Sequence, residues 1–383
     1  MIKLSVIIPT KDRQKYCIAA IKQILQLNLQ DIEIIVQDNS NVDSLRNDIA
    51  SLCASNIIYN YHPGTLSFVD NFSEPLSFSH GEYVCMIGDD DGLLPNIEKI
   101  IDFSIENGID SIIPSLDIVY FWPSETPLRA NGEHGYMYAS WKRCNYKYVS
   151  PKEGLLSLMK RGGQGYQDMN IPRVYHGIVK RSKIDEVKNI TGKYFDGLTP
   201  DIYMAVALSL VCRKVIRLNF PVTISGICPR SGSSDSATGK HTGELKDAPH
   251  FKGHASYTWD PKAPYIYSVE SIWAETVLHA LHNFKREDLY AVFSVRYLDS
   301  MCYGMYPQFR DRILNHASQY GISKCSLLLT FKMWQIKKYI KLRVKGLVMR
   351  TIKRSERAKT FMNVNNIQQA YEILKGLPRF KIK

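Results

Sequence analysis

The 383-residue chain lacks several of the patterns that announce a function early. Its eight cysteines are scattered with no CxxC spacing, which argues against a zinc or dithiol site and for reduced cysteines in a cytoplasmic protein. No apolar run approaches the ~20 residues of a membrane span, so no helix is expected to cross a bilayer. The opening MIKLSVIIPTKDR continues into neither an apolar h-region nor a small-residue cleavage site, so a secretory signal is not expected. There is no internal repeat. There is also no GxGxxG or Walker-A loop, so any phosphate handling needs another solution. Acidic excess is missing as well, but the net charge of +12 is a local property. Residues 324–359 hold twelve Lys/Arg and one acid, Glu356, while the rest of the chain carries 37 basic and 36 acidic residues.

What is present is an alternation. Apolar runs at Leu4–Ile8, Glu33–Gln37, Ile57–Tyr61, Tyr83–Ile87 and Ser111–Pro114 read as strands. Between them, Cys17, Ile18, Ile21, Ile24 and Leu25 share a helical face, as do Phe68, Val69, Phe72 and Leu76. Ile97, Ile100, Ile101 and Ile105 follow Pro95, which suits a first helical turn. Such alternation predicts an α/β fold with a mostly parallel sheet flanked by helices on both faces. Ligands of such sheets bind at the carboxyl ends of the strands. Three polar clusters should therefore meet at one edge: Pro9-Thr10-Lys11-Asp12-Arg13, Asp38-Asn39-Ser40 and Gly88-Asp89-Asp90-Asp91.

Each cluster has a plain reading and a functional one. Three consecutive aspartates can be a solvated turn, but at the end of a buried strand they suit Mg²⁺ or Mn²⁺ carrying a diphosphate, because hard cations take carboxylate and phosphate oxygens. Asp38 can accept from a base or ribose, or merely cap a turn. Thr10 and Arg13 offer a hydroxyl and a cation to a nucleotide.

VIIPTKDR, EIIVQDNS and NFSEPLSFSHGEYVCMIGDDDGLLP, in this order and spacing, resemble the inverting family 2 glycosyltransferases of the GT-A fold over residues 1–115, more weakly to about 225. The resemblance implies a nucleoside-diphosphate sugar donor, with a UDP-sugar as first expectation. It implies that Pro9, Thr10, Arg13, Asp38, Asn39 and Asp89 line the nucleotide site. It makes Asp90 a metal ligand for Mn²⁺ or Mg²⁺, with Asp91 as a further ligand, a supporting carboxylate or a helix cap. Gly88 stands where many members carry another acid. By the same resemblance Asp201, in LTPDIYMAVAL, is the general base that accepts the acceptor hydroxyl's proton; otherwise it is a helix-start residue favoured by the dipole.

Residues 1–260 are then expected to form the GT-A domain, with 1–115 the nucleotide-binding half and 116–260 the acceptor half. In the latter, IPRVYHGIVKR (171–181) can line the acceptor side, with His176 either a contact or simply satisfied in a strand. The segment 228–253, poor in large apolar residues, reads as a mobile loop from which His241 or His250 could complete the metal shell. Residues 261–383 read as a helical C-terminal region. Within it, Ile336, Ile340, Val344, Leu347 and Val348 make one stripe beside Lys337, Lys338, Lys341 and Lys345. That pattern fits peripheral contact with an anionic membrane, or a helix docked on the enzyme's own core, or a solvated basic face. No nucleic-acid motif accompanies the charge. The resulting expectation is a metal-dependent inverting glycosyltransferase on the inner face of the cell membrane, with a glycan or polyprenyl-linked acceptor in surface-polysaccharide assembly. The alternatives are a nucleotidyltransferase making sugar nucleotides and a non-catalytic scaffold recruited by the basic tail.

Overall fold

The computed structural model describes residues 1–124, 135–140, 144–229, 242–251, 257–351 and 358–377. Its strands are β1 (Leu4–Thr10), β2 (Ile32–Asp38), β3 (Ile57–Tyr61), β4 (Tyr83–Met86), β5 (Gly92–Leu93), β6 (Ser111–Ile113), β7 (Ile118–Phe121), β8 (Tyr136–Ala139), β9 (Tyr146–Val149), β10 (Ile178–Lys180), β11 (Val215–Leu218), β12 (Thr223–Ile227), β13 (Thr242–Gly243), β14 (Tyr267–Ser268) and β15 (Lys359–Met362). The helices are α1 (Gln14–Leu25), α2 (Leu45–Ala50), α3 (Phe68–Ser73), α4 (Asn96–Asn107), α5 (Pro151–Lys160), α6 (Arg181–Thr191), α7 (Pro200–Val211), α8 (Val269–Asn283), α9 (Glu287–Ala291), α10 (Val295–Met305), α11 (Arg310–Gln319), α12 (Lys324–Thr351) and α13 (Ile367–Lys375).

Eight strands form the main sheet in the order β3-β2-β1-β4-β10-β6-β11-β9. β3, β2, β1 and β4 are mutually parallel, as are β6 and β11, while β10 and the edge strand β9 run antiparallel to their neighbours. The period of two divides β1 and β2 between two cores. Ile7 and Ile35 face a layer built from α5, α6, α7 and α8. Val6, Ile8, Ile34 and Val36 face α1 and α4. Pro9 is tolerated in this central strand because the ladder alternates: Ile7 bonds Ile87 on the β4 side and Thr10 bonds Asn39 on the β2 side. Its missing N–H therefore falls on the β4 side, beyond the end of that strand at Met86.

The five expected strands are all present. The helix expected over Phe68–Leu76 is cut short: α3 stops at Ser73 and a 3₁₀ turn, Glu74–Phe78, takes over where Pro75 lacks the donor. The second sheet, β15-β8-β7-β12-β5, was not legible in the sequence. Through β15 pairing with β8, and through Ile367, Ala370, Tyr371 and Leu374 of α13 packing with Leu94, Tyr120 and Trp122, residues 358–377 return to the first half of the molecule. The C-terminal region is thus helical over α8–α12 and then rejoins the α/β core. Part of the expected mobile loop is also tied down: β13 pairs with β14, and Leu245 and Ala248 are buried.

Candidate active site

The parallel register brings the three clusters together. Thr10 pairs with Asp38 across β1 and β2, and Ile87 continues β4 beside Ile7. From this edge the turn Gly88–Asp91 folds under the molecule, so that all three aspartates are buried. Their surroundings differ sharply.

Asp89 is held from the β1 side. Its Oδ2 accepts from Thr10 Oγ1 at 2.6 Å and from Arg13 Nε at 3.0 Å, and its Oδ1 lies 2.6 Å from an Arg13 Nη. Asp91 is held from the opposite side. Its Oδ1 accepts the Gly226 amide at 2.6 Å, and its Oδ2 accepts the Gly88 amide at 2.6 Å and Tyr175 Oη at 3.3 Å. His176 Nε2 sits 3.1 Å from the same Oδ2. Asp90 is held from Cys228: its Oδ2 accepts the Cys228 amide at 3.0 Å, and the Cys228 side chain is a second hydrogen-bonding partner of the carboxylate. Its main-chain carbonyl accepts from Trp122 Nε1 at 2.9 Å.

Charge in this turn is not balanced internally, since three carboxylates face one guanidinium. Burial pushes the Asp89 carboxyl up to about 7; Asp90 adds to the rise, and Arg13 and Thr10 oppose it. Burial and then the Asp91 carboxylate raise Asp90. Burial alone would lower the Arg13 pKa, but Asp89 and Asp90 outweigh it and leave the guanidinium more firmly protonated.

The geometry explains Gly88. A Cβ there would lie 2.8 Å from Tyr175 Oη, 2.9 Å from Asp90 Oδ1 and 3.0 Å from Asp91 Oδ2. The space that another acid would fill is occupied by the functional groups of its neighbours. Gly226 is needed for a related reason: a Cβ there would meet the Asp90 carbonyl oxygen at 1.8 Å. Gly226, Cys228, Trp122, Tyr175 and His176 complete the cradle, and only Gly–Asp–Asp–Asp itself was visible as a motif. His176 has left-handed backbone (φ 53°) just ahead of β10, and its Nδ1 lies 2.9 Å from Thr223 Oγ1. It is satisfied, though in a turn rather than within a strand.

Asp38 and Asn39 lie at the same edge but face inward. Asp38 accepts from the Ser40 amide at 2.8 Å and from Tyr59 Oη at 2.9 Å. Asn39 accepts from Lys11 Nζ and the Leu66 amide and donates to the His62 and Gly64 carbonyls, stapling the 62–66 loop to the strand end. Pro9 precedes Thr10 in β1. Asp201 occupies the first turn of α7 after Pro200, and Tyr166 Oη donates to its Oδ2 at 2.7 Å. Burial raises its pKa, and the Tyr166 bond counters that rise. Among the described residues no side-chain hydrogen bond joins Asp201 to the aspartate turn. His250 lies by the rings of Phe68 and Tyr267, and His241 lies outside the described residues.

Among the described residues no group of three His, Cys, Asp or Glu side chains could hold a metal by itself. The donor set present, three buried carboxylates facing one guanidinium, fits Mg²⁺ or Mn²⁺ that arrives with a diphosphate. Such ions use one or two carboxylates and take their other ligands from phosphate and water.

The chain is similar to several known proteins. A curated relative from Campylobacter jejuni subsp. jejuni serotype O:2, GalNAc(5)-diNAcBac-PP-undecaprenol beta-1,3-glucosyltransferase, is 35% identical over 100 residues, covering 24% of this chain and 31% of that protein. The chain thus matches less than a third of that relative's length. Among solved structures, S. aureus TarS 1-349 in complex with UDP-GlcNAc overlaps 84% of this chain and 92% of its own, at 12% identity and TM-score 0.45. Mannosyltransferase PcManGT from Pyrobaculum calidifontis, in complex with GDP-Man and Mn2+, overlaps 88% and 86%, at 11% identity and TM-score 0.38. Residues 5–157, which carry β1, β2, β4 and the aspartate turn, match the model of glycosyl transferase family 2.

Proposed function

We propose that the chain is a metal-dependent, inverting glycosyltransferase that moves a sugar from a nucleoside-diphosphate sugar to a lipid-linked glycan. The observation that carries this reading is the unequal treatment of the three aspartates: Asp89 is paired with Arg13 and Asp91 is bonded at both oxygens, whereas Asp90 is held from the Cys228 side and has no cation of its own among the described residues. The family 2 match over residues 5–157 and the activity of the C. jejuni relative support the reaction class and the acceptor class.

In this reading Asp90 binds Mg²⁺ or Mn²⁺, and the bound ion supplies charge stabilisation to the leaving diphosphate. Arg13, locked on Asp89, presents its remaining N–H groups toward the same phosphates. Asp91 fixes the turn rather than ligating, because its two oxygens already accept three hydrogen bonds and lie beside His176. Asp38 and Asn39 shape the nucleotide edge from within, since their polar atoms are engaged. Asp201 is the base that takes the proton of the attacking hydroxyl; its raised pKa makes it a better acceptor than an ordinary carboxylate, and Tyr166 orients it. The exposed apolar residues of α12 beside its lysines favour peripheral contact with an anionic membrane, where a lipid-linked acceptor resides. No helix among the described residues is long and apolar enough to cross a membrane.

Calorimetry with UDP and Mn²⁺ tests the assignment. Asp90→Asn abolishes metal-dependent nucleotide binding, whereas Asp201→Asn retains binding and loses sugar transfer. Unchanged binding by the first variant refutes the metal role, and full transfer by the second refutes the base.

A further inference from the structure

The remaining strong charge concentration that the proposed reaction does not use is a cleft at the far edge of the main sheet. It encloses about 820 Å³ between β9, the start of α5, the end of α7 and the Arg286–Leu289 turn. Four strands, β4, β10, β6 and β11, separate β9 from β1. At about 4.8 Å per strand the cleft lies roughly 24 Å across the sheet from Thr10 and Asp38. It is therefore not part of the donor site.

Four cations line it: Lys147 from β9, Lys152 from the first turn of α5, Arg213 after α7 and Arg286 before α9. Against them the lining holds one carboxylate, Glu153. Arg286 is already paired with Asp288 at 2.6 Å, but Lys147, Lys152 and Arg213 have no carboxylate partner among the described residues. These side chains come from separate elements and converge on a concavity, which costs repulsion that a flat, solvated surface would avoid. The ten-residue helix α5 adds the positive end of its dipole, with Ser150 as cap and Pro151 in its first turn. Lysine and arginine around a helix N-terminus in a concave wall are the chemistry of phosphoryl recognition.

We propose that this cleft is a second binding site, for the phosphoryl group of a phosphate ester or diphosphate. Its surroundings favour a lipid-borne phosphate. Asn170 lines the cleft, and two residues earlier Asp168 is bridged to Lys341 of α12 at 2.9 Å. The cleft and the basic, partly apolar helix thus share one flank, so a headgroup phosphate could enter the first while the second rests on the bilayer.

The test uses the full chain in EDTA, which removes metal-assisted binding at Asp90, with sodium pyrophosphate as the calorimetric probe. The wild type binds, and binding weakens as salt rises from about 50 to 300 mM. Lys147→Glu with Arg213→Glu weakens it about tenfold or more, the size expected for losing two charge-assisted contacts. The milder Arg213→Gln gives a smaller loss in the same direction. Both changes lie on exposed side chains, and an unchanged melting temperature confirms the fold. No binding by the wild type, or equal binding by the double variant, overturns the proposal. A second arm identifies the source of the phosphate. Sedimentation with phosphatidylcholine vesicles containing phosphatidylglycerol falls in the double variant if the site takes a lipid headgroup. It is unchanged, with pyrophosphate binding still lost, if the site takes a soluble phosphate ester.

Discussion

The acidic turn 88–91 and the basic helix α12 each gather charge of a single sign, and the fold handles them in opposite ways. The turn is buried and gripped on three sides by β1, by β12 and by the segment before β10. The helix is anchored on one face only, through buried Leu327 and through Phe331, whose ring fills the space over Gly304. Its opposite face leaves Leu329, Ile336, Ile340 and Leu347 more than half exposed, at 62, 51, 53 and 61%. Buried charge demands a geometry fixed in advance, because each unmet partner costs about 1–3 kcal/mol. An exposed face of cations and aliphatics demands only a surface to rest on. A catalytic centre needs the first kind of order and a membrane contact the second.

The largest way to break this contrast is Asp91→Ala. It strands the Gly88 and Gly226 amides, Tyr175 Oη and His176 at once, and should cost roughly 3–5 kcal/mol in urea unfolding. Asp90→Asn should stay within about 1 kcal/mol of wild type in the same assay, because a side-chain carbonyl still accepts from Cys228. If both variants lose stability equally, the division of roles inside the turn is wrong.

A smaller effect is expected where the helical region joins the core. His316 places Nδ1 at 2.9 Å from Asp299 and Nε2 at 2.9 Å from the Pro261 carbonyl, so each ring nitrogen faces an acceptor and both are satisfied only in the imidazolium. Burial would lower its pKa, but Asp299 and the carbonyl outweigh this and raise it above 6.5. A raised histidine contributes stability below its unfolded value near 6.5 that is lost as pH rises through the higher folded value. His316→Gln should flatten that part of a stability–pH profile; an unchanged slope refutes the charged pair.

Tyr166→Phe should cost about 1–2 kcal/mol of stability and move the acid limb of kcat/KM to higher pH, since the lost hydrogen bond had been lowering the Asp201 pKa. A limb that stays in place removes Asp201 from the base role. The smallest change in stability is expected on α12. Ile336→Glu with Ile340→Glu should alter folding by no more than about 0.5 kcal/mol while releasing the protein from anionic vesicles. These substitutions test the helix more cleanly than removing 324–359, because β15 and α13 beyond it are part of the core.

The order of β1, α1, β2, β3, α3, β4, α4 and β6, and the meeting of three polar clusters at one edge, followed from local pattern, whereas α2 and β5 did not. A buried parallel strand needs a continuous apolar run, and its carboxyl end is where the chain turns polar. The choice of Asp90 among the three aspartates came from the family resemblance rather than from local pattern. The sequence could not show that Gly226, Cys228, Trp122 and Tyr175 grip the turn, for they come from positions up to 138 residues away and carry no shared pattern. Nor could it show that β15 returns to β8, because four residues of KTFM hold little periodicity and pair only once the partner strand is in place. Gly88 joins the two kinds of knowledge. Sequence marked it as the place where an acid was expected, and tertiary packing gave the reason: the atoms of Tyr175, Asp90 and Asp91 already stand where its side chain would be.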